Sequence, residues 1–250
     1  MGEESVNTGD VNINGIHINN AGYSGLLEQI CGSISNGPQL AIAYANANSI
    51  NLSFKYPELV KSLNSFDVIH PDGIGIRIAA SILKSPLTLA GRFTGSDFYP
   101  LLAEEAIKNN FSLYFFGHDD ITLGKISETY PNLKIAGTHE GYKFNDTEVI
   151  ASIDKNPADI LIIGLGSPKQ ETWVSLYRHK LNCKVIICVG EGIKVFAGCK
   201  KRGPRFLRSI GLEWLWRFLG NPVKYFGRYV IGNPLFLYRI ISIKMRKLAR

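Results

Sequence analysis

Long apolar runs are scarce in this 250-residue chain, and acid nearly vanishes from its last fifth. The most membrane-like stretch, residues 229–243, is interrupted by Asn233, Pro234 and Arg239. It falls short of the roughly 20 apolar residues a spanning helix needs, so the chain is expected to lie on a bilayer rather than cross it. The opening residues, MGEESVNTGDVNING, carry no apolar segment, so no signal peptide is expected. Cysteine is sparse, and Cys31, Cys183, Cys188 and Cys199 form no CxxC pair. A chain of this length needs no covalent staples, and the thiols read as reduced, in a cytoplasmic protein. Metal-ligand spacing is missing as well. Asp119 and Asp120 are adjacent rather than arranged as DxD, and the five histidines are scattered. Neither a GxSxG nor a Cys/His nucleophile signature occurs, and no repeat or low-complexity segment is visible.

What is present is a charge asymmetry. Residues 200–250 hold 13 Lys and Arg against the single acid Glu213, a net +12, while residues 1–199 carry −5. With 45% apolar and 20% charged residues, the chain is globular rather than disordered. A nearly neutral body thus precedes a tail suited to polyanions: nucleic acid, anionic lipid or a diphosphate.

Short apolar runs at 40–45, 67–69, 112–116, 133–136, 159–163 and 184–189 have the length and branching of buried strands. Between them, 23–35, 52–63, 74–83, 98–109, 121–130, 147–155 and 168–181 read as helices. Thr94 with Asp97, and Ser167 with Gln170, have capping-box spacing, and Pro168 suits a first helical position. The alternation predicts an α/β fold, a mostly parallel, Rossmann-like sheet covered by helices on both faces. Beyond Gly203, Phe206, Ile210, Trp214 and Phe218 approach helical spacing, and Pro222 and Pro234 are expected to cut the remainder into short pieces. Two units follow: an α/β catalytic core over residues 1–202, and a basic, aromatic, helical appendage over 203–250 suited to a membrane surface.

In an open parallel sheet, ligands bind beyond the carboxyl ends of the strands. The run Gly164-Leu-Gly166-Ser167-Pro168-Lys169-Gln170-Glu171 places small residues just before a helix start. It reads either as a phosphate cradle with Lys169 and Gln170 at its lip, or as a capped helix after a tight turn. A carboxylate at Asp72 facing that loop would suit a general base, although Pro71-Asp72-Gly73 is also an ordinary turn. His70 could serve as the base too, but a lone histidine in a core strand reads first as a structural, hydrogen-bonded residue. Arg92 either adds positive potential beside a helix start or makes a surface ion pair. Asn46 and Asn48 would read sugar hydroxyls, or one of them would cap a helix. In the absence of a metal pattern, tail arginines are the source of charge for a phosphate.

Five motifs occur in order: Asn46-Ala-Asn48, Pro71-Asp72-Gly73-Ile-Gly75, Arg92-Phe-Thr-Gly95-Ser96-Asp97, the Gly164–Glu171 run, and Gly211-Leu-Glu213-Trp214-Leu-Trp-Arg217. Together, over about residues 10–230, they resemble the WecG/TagA/CpsF family of bacterial glycosyltransferases. The resemblance implies an inverting enzyme without metal or cofactor, moving a sugar from a UDP-sugar to a polyprenyl-diphosphate-linked sugar. N-acetylmannosamine and several hexoses are compatible donors. The setting implied is surface-glycan assembly on the cytoplasmic face of the membrane, with the tail on anionic lipid, and self-association is admitted. By resemblance Asp72 is the general base, and Asn46, Asn48, Arg92, Gly95, Ser96, Asp97, Gly166, Ser167, Lys169, Gln170 and Glu171 contact substrate. Arg205, Arg208 and Arg217 are the candidates for stabilising the diphosphate leaving group. The sequence departs from the family where Tyr44 replaces a frequent threonine, and where Gly192-Ile193-Lys194 replaces a Phe-Asp pair. Residues 234–250 also continue beyond the family's usual core.

Two other readings compete. A non-enzymatic nucleic-acid-binding protein would use the same tail but leave the strand-end loops without a task, so no nucleic-acid partner is expected. A nucleotide-dependent oxidoreductase would need a third glycine where Lys169 stands, and an acid about 20 residues beyond that loop.

Overall fold

The computed structural model describes residues 9–85, 93–200 and 202–248. Strands β1 (Asp10–Ile13) and β2 (Ile16–Asn19) form an antiparallel hairpin that the reading of apolar runs misses. Its signals are nonetheless local. Val11, Ile13, Ile16 and Ile18 alternate with polar residues and are buried, and the Asn14-Gly15 turn takes φ of 54° and 81°.

The other six strands are β3 (Leu40–Ala45), β4 (Val68–Pro71), β5 (Ser112–Gly117), β6 (Lys134–His139), β7 (Ala158–Gly164) and β8 (Cys183–Cys188). They form one sheet in the order β4-β3-β8-β7-β5-β6, with every neighbouring pair parallel. The expected α/β architecture is therefore present. Side-chain alternation divides each strand between two cores. Ala41, Ala43, Ala45, Tyr114, Phe116, Leu161 and Ile163 face one. Ile42, Tyr44, Leu113, Phe115, Ile160 and Ile162 face the other. Helices Ile74–Ile82 and Asp146–Lys155 cover the first face with the hairpin, and helices Gly22–Ser35, Gly95–Lys108 and Asp120–Thr129 cover the second.

Three local expectations need correction. The helix expected over 52–63 is two helices, Ala47–Lys55 and Pro57–Leu63. Pro57 pushes Tyr56 out of the helical region, to φ −125° and ψ 88°. Ser167 makes no cap, and the helix after β7 runs Lys169–Tyr177 with Pro168 just outside it. Thr94 does cap helix Gly95–Lys108, accepting from the Asp97 N–H at 3.3 Å. Finally, Pro222 opens a short helix, Pro222–Tyr225, but Pro234 cuts nothing. It is the third residue of a 17-residue helix, Gly232–Leu248, which continues without a break from the π-helical stretch Phe226–Ile231.

That last helix belongs to the first core. Phe236 and Ile240 are buried in it. Arg239 lies 4.5 Å over the Phe54 ring and donates to the Asn51 carbonyl and side-chain oxygens, each at 2.9 Å. Ile240→Ala is expected to destabilise the chain by about 2–5 kcal/mol in urea unfolding, through lost burial and a residual cavity. A change within about 0.5 kcal/mol, the range of surface substitutions, would mean that this helix is not docked in solution.

Candidate active site

The loops after β4, β3, β8 and β7, four neighbours in the sheet, surround a cavity of about 580 Å³ together with tail residues. Asp72 follows β4 in a bend set by three backbone facts. Its N–H donates to the Ala45 carbonyl at 2.8 Å, the Gly73 N–H donates to the Phe93 carbonyl at 3.2 Å, and Gly73 takes φ 81°. The carboxylate Oδ1 accepts from the Gly95 N–H at 3.1 Å, so the first turn of helix Gly95–Lys108 fixes its direction. Asp72 lines the cavity, as do Gly95 and Ser96.

Across the cavity, the Gly164–Glu171 loop has a different construction from the one expected. A Cβ at Gly164 would stand 2.7 Å from the Gly190 carbonyl oxygen, so its small size serves close packing of two loops. Gln170 is only 6% exposed. Its Oε1 accepts from the Gly166 N–H at 3.2 Å and the Gly190 N–H at 3.0 Å, and its Nε2 donates to Glu171 Oε1 at 2.9 Å. The Gln170 N–H itself donates to the Gly166 carbonyl at 3.0 Å. Within the run expected to cradle a phosphate or to form a capped turn, the Gly166 and Gln170 amides are satisfied within the protein, as is the Gly190 amide beside it. Gln170 is a buried pin between the ends of β7 and β8, and it lines the cavity together with Gly166. Lys169 extends over the Phe144 ring at 4.2 Å and does not line the cavity. Burial pushes the Glu171 carboxyl up, opposed by the Gln170 hydrogen bond. Ser167 and Glu171 both line the cavity.

Asn46 realises its capping alternative. Its side chain accepts from the Asn48 and Ser49 N–H groups at 3.0 and 3.1 Å, while Ser49 Oγ accepts from the Asn46 N–H at 2.7 Å. Both asparagines still line the cavity. His70 is fully buried beside Phe93, 3.7 Å between ring centroids, and burial pushes its imidazole down to about 4, as befits a structural histidine.

Positive charge reaches the cavity from the tail, though not from all the expected residues. Arg217 lines it and donates to Glu213 at 2.7 Å. Burial works against the Arg217 charge, but the Glu213 carboxylate outweighs it and holds the guanidinium above its usual range. Arg208 is tied to Asp97 at 3.4 Å and Arg202 to the same carboxylate at 2.6 Å, and neither arginine lines the cavity. Asp97 is likewise outside the lining; it joins the tail to the start of helix Gly95–Lys108. Arg92 and the Arg205 side chain lie outside the described residues. Sequence reasoning missed Lys200 and Arg228, two further cations of the wall. No spacing rule marks them, since both appear only as members of a basic tail. It also missed Tyr99, whose ring meets Tyr44 edge-on at 6.1 Å in the same wall. Among the described residues, no three His, Cys, Asp or Glu side chains group as metal ligands, and no helix is long and apolar enough to cross a membrane.

A sequence model of the glycosyl transferase WecG/TagA/CpsF family matches residues 11–250. The match includes residues 234–250, which corrects the expectation that they extend beyond the family. Two Staphylococcus aureus proteins named N-acetylglucosaminyldiphosphoundecaprenol N-acetyl-beta-D-mannosaminyltransferase are similar to the chain. The one from strain MRSA252 is 30% identical and the one from strain MW2 is 29% identical, each match covering 98% of this chain and 97% of the relative.

The pin makes a stability prediction. Gln170→Leu keeps the apolar bulk but strands the Gly166 and Gly190 amides, at about 1–3 kcal/mol for each. Guanidinium unfolding should show that loss, and a change below about 0.5 kcal/mol would show that the two loops do not depend on the pin.

Proposed function

The chain belongs to the WecG/TagA/CpsF family of glycosyl transferases, and from that premise we propose that it moves a sugar from a UDP-sugar to a polyprenyl-diphosphate-linked sugar in surface-glycan assembly. One observation carries the reading. Asp72 shares a cavity at the carboxyl ends of the strands with the cations Lys200, Arg217 and Arg228. In the proposed reaction Asp72 removes the proton of an acceptor hydroxyl. That oxygen attacks the anomeric carbon from the face opposite the leaving group, the bond from that carbon to the phosphate oxygen breaks, and UDP departs with the bonding electrons. Configuration inverts. The tail cations stabilise the charge that develops on the diphosphate, as a preorganised site does best. They would carry the charge that a divalent ion carries elsewhere, so no metal enters the proposal. The names of the relatives make N-acetylmannosamine and an N-acetylglucosamine-diphosphate lipid the first donor and acceptor to assay.

The same tail supports attachment to the inner face of an anionic membrane. Phe206, Leu219, Val223 and Phe226 are exposed, Val223 at 92%, among lysines and arginines. Buried apolar area and basic charge together make the two signals that stable surface attachment needs. Because Phe236 and Ile240 complete the core, this surface is best tested in place rather than by truncation.

Asp72→Asn should lower turnover by about 10²–10⁴-fold while UDP still binds. Near-normal turnover in that variant would remove Asp72 from the role of base. Activity should persist in excess chelator, and a loss restored by added magnesium would overturn the metal-free proposal. Val223→Asp with Phe226→Asp should weaken co-sedimentation with phosphatidylglycerol vesicles at least about tenfold. Unchanged sedimentation would place the contact elsewhere.

A further inference from the structure

Lys200 stands where the body meets the tail. Its ammonium donates to Ser96 Oγ, in the first turn of helix Gly95–Lys108, at 3.0 Å. An ammonium has three donors, and this bond uses one. The neighbouring cations are matched differently. Arg202 and Arg208 have Asp97, Arg217 has Glu213, and Lys224 has Glu191, while Lys200 has no carboxylate within ion-pair distance among the described residues. A half-buried cation without a counter-ion raises the free energy of the protein until an anion reaches it. Arg217 and Arg228 line the same cavity, so three cations converge where, among the described residues, only one carboxylate, Glu213, is in direct contact with any of them.

We infer that Lys200 is a direct ligand of a substrate diphosphate, holding it toward the Ser96 end of the cavity. The inference rests on the glycosyl-transfer reading and adds a residue to it. A diphosphate is the chemistry shared by the nucleotide donor and the lipid-linked acceptor.

The charges around Lys200 give the contact a pH signature. Asp72 from the bend after β4, Glu191 from the turn after β8 and Glu213 from helix Glu213–Gly220 favour its charged form. Burial opposes that form most strongly, the Arg217 charge adds to it, and together they push the ammonium down to about 8. A bound diphosphate favours the charged form, so binding takes up a proton once the pH exceeds that value. Well below pH 8 Lys200 is already charged and affinity is flat. Above it, affinity falls by about tenfold per pH unit, until the pKa of the liganded form is reached. The diphosphate adds no slope of its own there, since its last ionisation lies near pH 6.

The test is calorimetric titration of the full chain from about pH 7 to 9.5, with UDP and, separately, with farnesyl diphosphate as probes. The wild type should show the flat-then-falling profile for at least one probe. Lys200→Met should bind that probe about 10–100-fold more weakly at pH 7 and without the slope. Lys200→Arg should bind tightly and also without the slope, because a guanidinium stays charged, and it controls for misfolding. An effect confined to UDP assigns Lys200 to the leaving group, and one confined to farnesyl diphosphate assigns it to the acceptor. Wild-type affinity for both probes in Lys200→Met, or an unchanged slope, overturns the inference while leaving the transfer reaction intact. Failure of the wild type to bind either probe overturns the glycosyl-transfer reading as well.

Discussion

Every strand of the main sheet runs in the same direction, and the candidate site depends on that constraint. Parallel strands deliver all their carboxyl-end loops to one side of the molecule. With β3, β8 and β7 adjacent in the middle of the sheet and β4 at its edge, the Asp72 bend and the Gly166–Gly190 turns become walls of a single cavity. Two sets of hydrogen bonds then fix those walls. The Gly95 amide aims the Asp72 carboxylate, and the Gln170 amide group holds the turns after β7 and β8 together. An antiparallel strand inserted at either place would send one of the walls to the opposite side.

The tail completes what the sheet begins. Six of its cations fall into two groups. Arg202, Arg208 and Lys224 are spent on Asp97 and Glu191, acids of the body, and so attach the tail to it. Lys200, Arg217 and Arg228 remain around the cavity. The charge asymmetry of the chain is thus divided between holding the tail in place and supplying positive potential to the cavity in which the proposed reaction places a diphosphate.

Much of this was legible in the sequence, and the remainder was hidden for definite reasons. Buried parallel strands announce themselves as short, branched apolar runs, which is why all six strands of the main sheet appeared near their true bounds. The hairpin Asp10–Asn19 escaped because its strands are only four residues long, although Asn14-Gly15 between alternating residues is the signal that would have found it. The run of small residues after β7 stayed open between two readings because glycine fits close loop packing as well as phosphate approach. The bond that decides the matter joins Gln170 to Gly190, 20 residues away. The tail cations could not be sorted from sequence for a similar reason. Arg208 meets an acid 111 positions earlier, and Lys200 a serine 104 positions earlier, so local spacing carries no trace of either pairing. The place of Asp72 at a strand end was legible because its strand, its bend and the helix that orients it each have their own local signal.

The central claim is that one carboxylate and a group of cations act on the same reacting centre. A crystal structure of the full chain with a non-hydrolysable UDP-sugar and a short-chain lipid-diphosphate-sugar would test it most directly. The account predicts an acceptor hydroxyl within about 2.6–3.2 Å of an Asp72 oxygen, or one water away, with the donor diphosphate beside Arg217 and Arg228. A donor whose diphosphate lies at the opposite end of the sheet, or an acceptor hydroxyl facing a different base, would contradict it.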